Sequence, residues 1–297
     1  YDLAQRKIVR NVLQDPKWDA GGFIVQRGAR VIGGNIDRWK PEQVYFVPEW
    51  QSLQQQAKAA YPGYDVRISS VSEDRSKAVL YIEGPDAPSG IYQFVDFAKG
   101  DGFIAGKRYP KINRGDTGEV RTVTFKARDG VDIDAYITLP PGSAGKNLAA
   151  IVLPHGGPEA RDTGGYEQWS QFLANRGYAV IQPQFRGSDG YGRKFREIAR
   201  FQWGLTMQDD VSDAVKYLID NGIADPKRVC IFGWSYGGYA AMAGATITPE
   251  LYRCSVAGAG VSDLIKILDE EVGGDSNNFA YRYWRRVIGN VRDNLPR

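Results

Sequence analysis

Over the first hundred residues, apolar and polar positions alternate in short runs, the period of half-buried strands rather than of helices. Segments 22–26, 30–33, 43–47, 66–72, 77–83 and 91–97 carry the pattern, with Asp74-Arg75 and 85–90 as turns. Strands in close succession predict an antiparallel β unit, with a Gln- and Ala-rich helix over 50–60. Three or four such strands make a weak domain alone. The segment therefore reads as the end of a larger repeat array, although it contains no strict sequence repeat.

The pattern changes across 109–118, where Pro110, Gly115 and Gly118 mark a linker. The expected division is 1–110, a linker over 111–118, and 119–297. Segments 120–127 and 131–139 flank Arg128-Asp129-Gly130, a hairpin signal, and Pro140-Pro141-Gly142 closes the pair. The continuous apolar run 149–153 fits a buried parallel strand. Tyr166, Trp169, Phe172 and Leu173 fall at helical spacing before Gly177, and 178–182 is the next strand. Val211, Ala214, Val215, Leu218 and Ile219 form one helix face, with Asp209 and Asp210 near the positive end of the helix dipole. Strand 228–232, a small-residue helix over 237–246 and strand 254–259 follow. Strands alternating with helices predict an α/β unit of six strands, mostly parallel and covered on both faces.

A chain of 297 residues has room for about two domains. No stretch approaches the ~20 apolar residues of a spanning helix, so no membrane partner is expected. The net charge of +3 comes from interspersed signs without a basic patch, which argues against nucleic acid. Cys230 and Cys254 allow either a single bridge or two buried thiols, and the thiols are expected. Two cysteines and one histidine are too few for a structural zinc site. Tyr1 is not an initiator methionine, so the chain is expected to be a piece of a longer one, and its compartment stays open.

Gly233-Trp234-Ser235-Tyr236-Gly237 fits the G-x-S-x-G elbow, in which glycines permit a sharp strand-to-helix turn that lifts a serine hydroxyl clear of the sheet. The context agrees, with a strand before it and a helix-compatible run after it. His155-Gly156-Gly157-Pro158 follows strand 149–153 directly. Its glycines let backbone N–H groups face a developing oxyanion. Gly157 is the expected donor, paired with the N–H of Tyr236. His155, the only histidine, precedes Ser235 by 80 residues, whereas the base of this fold follows its nucleophile. Its expected role is to anchor the oxyanion loop by hydrogen bonds.

These motifs together resemble the prolyl oligopeptidase family of serine peptidases, in its acylaminoacyl-peptidase-like and dipeptidyl-peptidase-like branches. Arg128-Asp129-Gly130 through Thr138-Leu139-Pro140 resembles the start of the family's catalytic domain, and His155-Gly156-Gly157-Pro158 its oxyanion loop. Phe185-Arg186-Gly187-Ser188-Asp189-Gly190-Tyr191-Gly192, Trp203-Gly204, Asp209-Asp210-Val211 and the elbow through Tyr239 match at family spacing. The resemblance implies an α/β-hydrolase catalytic domain over 119–297, preceded by the β-rich end of a β-propeller. It also implies cleavage of short peptides through an acyl-enzyme on Ser235, with Tyr236 and Gly157 as the oxyanion hole. Tyr236 and Val261 match positions lining the family's specificity pocket. Neither a metal nor an organic cofactor is required, and oligomeric state is open.

The departure lies at the C-terminal side. Only 62 residues follow Ser235, none of them histidine. The domain is expected to be incomplete, lacking its last two strands together with the triad Asp and His. Asp263 matches a position beside the specificity pocket, and none of Asp263, Asp269, Asp275 and Asp293 is assigned to the triad. A serine without its base is a weak nucleophile, so this chain alone is expected to be inactive. Strand 254–259 is expected to be a bare sheet edge and an association hazard.

Two further features read as structural: Tyr281, Tyr283 and Trp284 with Arg282, Arg285 and Arg286 as an amphipathic helix packed on the body, and Glu270-Glu271 as a solvated helix face. The competing functions are a carboxylesterase or lipase on the same fold and a non-catalytic binding module.

Overall fold

The computed structural model describes residues 2–269 and 278–289, in two compact units, Tyr1–Thr117 and Gly118–Arg297. Glu270, Glu271, Asp275 and Asp293 lie outside the described residues, as does the side chain of Asp269.

The first unit holds an antiparallel three-stranded sheet, β1 (Ala20–Gln26), β2 (Arg30–Ile36) and β3 (Glu42–Tyr45). Helix α1 (Pro48–Ala60) follows, with proline in its first turn, where the missing N–H costs nothing. Trp50, Leu53 and Ala57 recur at helical spacing and are its buried face. A four-stranded antiparallel meander comes next: β4 (Asp65–Val71), β5 (Lys77–Gly84), β6 (Ala87–Asp96) and β7 (Asp101–Lys107). Ile32, Tyr45, Trp50, Leu53, Ile68, Leu80 and Ile82 share one core. The turn expected over 85–90 is shorter, because Gly84 already pairs with Ala87 across Pro85-Asp86. The sequence reading missed β7, whose residues are nearly all exposed and show no alternation.

The second unit is a six-stranded sheet in the order β13-β12-β10-β11-β9-β8. The hairpin β8 (Val120–Lys126) and β9 (Asp132–Thr138) is antiparallel, and β9 is antiparallel to β11 (Tyr178–Pro183). From β11 the parallel part runs through β10 (Leu148–Val152), β12 (Ala224–Trp234) and β13 (Cys254–Gly258). The helices are α2 (Gln168–Ala174), α3 (Gly192–Glu197), α4 (Thr206–Asp220), α5 (Tyr236–Ile247), α6 (Leu264–Asp269) and α7 (Phe279–Ile288). Residues of β12 point alternately to opposite faces. Ile231 faces Gly244 of α5, whereas Phe232 packs on Trp169 of α2 at 5.1 Å. Helices therefore cover both faces. On the α2 side the cover is incomplete: Trp169, Phe172, Trp234 and Val256 are half exposed, and β13 is the sheet edge.

The amphipathic reading of 281–286 holds. Val287 and Ile288 of α7 are buried, Trp284 meets Trp203 edge-on at 5.8 Å, and Arg286 pairs with Glu159. Asp209 lies in the first turn of α4 with Asp210 next to it, as expected near the positive end of the helix dipole, and each also forms an ion pair, Asp209 with Arg128 and Asp210 with Arg186.

The expectation of two thiols is corrected: Cys230 and Cys254 are disulfide-bonded. Parallel pairing sets them directly opposite one another on β12 and β13, with Cα atoms 4.7 Å apart, within bridging range. The bridge closes a loop over a sequence separation of 24. Its removal in a Cys230→Ser/Cys254→Ser variant should lower stability by about 3.5 kcal/mol, the chain entropy of a loop that long. Urea unfolding of both forms measures this, and an unchanged midpoint would contradict it.

Candidate active site

Ser235 sits between β12 and α5 with φ at 58° and ψ at −121°, a left-handed backbone on a non-glycine residue. Such strain concentrates where a side chain must be presented. The flanking glycines make the turn possible. A Cβ on Gly233 would lie 2.2 Å from the Gly237 carbonyl oxygen, and one on Gly237 would lie 2.2 Å from that of Pro154. The Ser235 N–H donates to the Gly258 carbonyl (2.9 Å) and its own carbonyl accepts from the Tyr239 N–H (3.0 Å). Tyr236 is the first residue of α5, so its N–H is free of the helix ladder and lies at the positive end of the helix dipole.

The His155-to-Pro158 loop packs against Ser235. A Cβ built on Gly156 would lie 3.4 Å from Ser235 Cβ and 4.0 Å from its Oγ. Gly156 is thus the loop residue packed on the Ser235 side chain, a contact the sequence reading missed. The following residue is Gly157, with φ at 126°, reached easily only by glycine.

His155 is held as an anchor. Its Nδ1 is 2.7 Å from the Gly156 carbonyl oxygen, which can only accept, so this nitrogen carries the proton. Its Nε2 lies 2.8 Å from Ser188 Oγ, and the ring stacks on Phe185 at 4.3 Å. Burial pushes its pKa down to about 4, against the Gly156 hydrogen bond and with the help of the Arg161 charge. A neutral ring with both nitrogens engaged is not placed to take a proton from Ser235. Among the described residues, no side chain hydrogen-bonds the Ser235 hydroxyl.

The loop after β11 is fixed by Arg186, whose guanidinium binds Asp210 through Nε (2.9 Å) and Nη2 (2.7 Å) and Asp129 through Nη1 (2.7 Å) and Nη2 (3.0 Å). Its backbone N–H also donates to Asp210 (2.8 Å). This network holds Phe185 and Ser188 against His155, so it positions the His155-to-Pro158 loop through two intermediaries.

Tyr236 and Val261, the expected pocket residues, both belong to the packing of the main core. The Tyr236 ring is 1% exposed, with Trp203 at 4.6 Å, Phe185 at 5.1 Å and Tyr239 at 5.8 Å. Its hydroxyl has no hydrogen-bond partner among the described residues. Asp263 accepts from the N–H groups of Ile265 and Lys266 and so caps the start of α6.

Asp162 was not singled out in the sequence. It lines a cleft of about 170 Å³ with His155, Gly156, Glu167, Trp169 and Trp234. Its Oδ2 is buried and without a hydrogen-bond partner among the described residues. Burial, then the Glu167 charge, push its pKa up to about 7, against a Gln182 hydrogen bond and the Arg161 charge. The two neighbours have opposite consequences. Between about pH 4 and 6.5 the unfolded chain protonates His155 and the folded one does not, so this group makes stability rise with pH. Between about pH 3.8 and 7 the folded chain keeps the Asp162 proton that the unfolded one has lost, so this group makes stability fall. Relative to the unaltered chain, Asp162→Asn should tilt stability upward with pH across 4–6.5 and His155→Gln should tilt it downward. Urea midpoints across that range test the pair, and tilts of the same sign would refute it.

Among the described residues, no group of His, Cys, Asp and Glu could hold a metal ion. No described helix is long and apolar enough to cross a membrane.

Residues 166–284 match the prolyl oligopeptidase family. The chain is 32% identical over 265 residues to dipeptidyl aminopeptidase BIII of Pseudoxanthomonas mexicana, covering 86% of this chain and 38% of that protein. It is 33% identical over 228 residues to dipeptidyl peptidase family member 6 of Caenorhabditis elegans, covering 70% of this chain and 31% of that one. Among solved structures, a puromycin-hydrolyzing peptidase of Mycobacterium tuberculosis is similar with a TM-score of 0.70 at 25% identity, over 92% of this chain and 41% of its own. The chain therefore spans about a third of the length of the relatives it matches.

Proposed function

The chain belongs, through residues 166–284, to the prolyl oligopeptidase family, and from that membership we propose that Ser235 is the nucleophile of a peptidase acting on short peptides, of the dipeptidyl or acylaminoacyl type. In this reading 119–297 is the larger part of an α/β-hydrolase domain, and 1–110 is the end of a propeller joined to it by 111–118. One observation carries it: Ser235 is held at positive φ on a glycine-packed elbow, with the Gly156-Gly157 loop against its side chain. In this reading the pairing serves to gather a hydroxyl and two backbone N–H donors around one reacting carbonyl.

The chemistry follows from these parts. Ser235 Oγ attacks the scissile carbonyl carbon and loses its proton to a base. The carbonyl oxygen becomes an oxyanion held by the N–H groups of Tyr236 and Gly157. Collapse expels the amine, which takes up the proton, and leaves an ester on Ser235. Water then hydrolyses that ester by the same route. The Tyr236 ring is buried in the core, so in this reading the partly buried Val261 is the expected pocket residue left to meet the residue whose carbonyl is attacked. The base is not His155, whose nitrogens are both engaged. In this reading none of the described residues supplies the base.

Fluorophosphonate labelling of the full-length protein and of residues 1–297 tests this. Labelling of the full-length form at Ser235, with turnover of an aminoacyl or dipeptidyl anilide, is expected. Absence of labelling in the folded full-length protein would refute the nucleophile. Turnover of short acyl esters without anilides would transfer the site to an esterase.

A further inference from the structure

Beside the oxyanion loop lies a second recess, of about 340 Å³, lined by Glu159, Arg193, Arg196, Glu197, Arg200 and Arg286. Four guanidinium groups there face two carboxylates. Arg286 pairs with Glu159 at 2.9 Å, Arg200 with Glu197 at 3.6 Å, and Arg196 with Asp189 outside the lining at 3.2 Å. Arg193 has no ion pair among the described residues. The paired arginine side chains are 38–49% exposed. Ion pairs at that exposure are worth little and exchange readily for a better partner.

The position gives the recess its meaning. Glu159 is two residues after Gly157, so their Cα atoms are within about 7.6 Å. The Asp189 N–H donates to the Ala160 carbonyl (2.8 Å), which ties the loop leading into α3 to the same segment. Arginine forks match carboxylates in geometry as well as charge. Every unmodified short peptide ends in a carboxylate, and that end always lies on the leaving side of the scissile bond. We propose that this arginine recess is a subsite for a carboxylate on the leaving side of the substrate, a few residues beyond the bond cut by Ser235. The proposal rests on the peptidase reading and deepens it. It gives the preference for short peptides a local cause, because only a nearby chain end reaches the arginines.

The test compares three forms of one short peptide with the full-length protein: the free acid, the C-terminal amide, and the amide carrying glutamate after the scissile bond. The free acid should exceed the plain amide in kcat/KM by about tenfold or more, as expected of charge-assisted hydrogen bonds. Arg193→Gln and Arg193→Gln/Arg286→Gln should erase the difference by raising KM for the acid, with kcat little changed. Arg193→Gln alters an exposed side chain without an ion pair, so it keeps the comparison clear of folding. Rescue of the amide by its glutamate would support the subsite with a side-chain carboxylate as a second source. Equal turnover of acid and amide, or a preference that survives both replacements, would overturn the subsite while the peptidase reading stands. No labelling at Ser235 and no turnover of any peptide would overturn both.

Discussion

Ser235→Ala should reduce turnover of a dipeptidyl anilide by the full-length protein about 10⁶-fold, the loss seen when a triad serine is removed. The residual rate comes from binding and the proposed oxyanion donors, which the substitution leaves in place. The backbone strain at 58° stays, because alanine bears the same Cβ. No hydrogen bond to the Ser235 hydroxyl among the described residues is lost. The melting temperature should accordingly be unchanged while activity disappears. Loss of activity with loss of fold would leave the role of the hydroxyl unsupported. Activity within tenfold of the unaltered protein would sink the mechanism.

The largest effect on stability belongs to Arg186. Its side chain is 5% exposed and that of its partner Asp210 is 0% exposed. Arg186→Met keeps most of the volume and removes the charge. Asp210 then keeps only the hydrogen bond from the backbone N–H of residue 186 and is left ionised without a counter-charge in the core, or must be protonated there. Removing one partner of a buried pair costs about 3–5 kcal/mol, enough to lower the melting temperature by many degrees. Asp129→Asn should cost much less, since the Asp129 side chain is 40% exposed and its loss leaves Arg186 paired with Asp210. An Arg186→Met/Asp210→Leu double variant should recover part of the loss, because the stranded charge is gone. Calorimetry of the three variants decides the matter, and a double variant worse than Arg186→Met alone would contradict the reasoning.

Much of the fold was legible because it is local. The run 149–153 is apolar because β10 is buried in the sheet's middle, and the elbow announces itself because its geometry demands glycine at two fixed offsets. What escaped is what pairing at a distance creates. Arg186 and Asp129 lie 57 residues apart, and no pattern along the chain joins them. The Cys230–Cys254 bridge depends on the register between β12 and β13, which a sequence does not display. Asp162 looks like any loop carboxylate until the fold buries one of its oxygens. Strand β7, with two glycines and an exposed surface, offers neither alternation nor burial to read.

The order of strands also constrains how the chain can fold as it is made. Among the described residues, strand β10 pairs only with β11 and β12, both of which come later in the chain. When Val152 emerges from the ribosome it has no neighbour to join, and the first possible one ends at Pro183, 31 residues on. At ordinary rates of synthesis that gap lasts about two to six seconds. Hairpin β8–β9 is complete by then, but its free edge is reserved for β11. The nascent chain thus waits with an apolar strand, Ala149 to Val152, exposed beside a ready-made edge, and mispairing of β10 onto β9 is the error that synthesis must outrun.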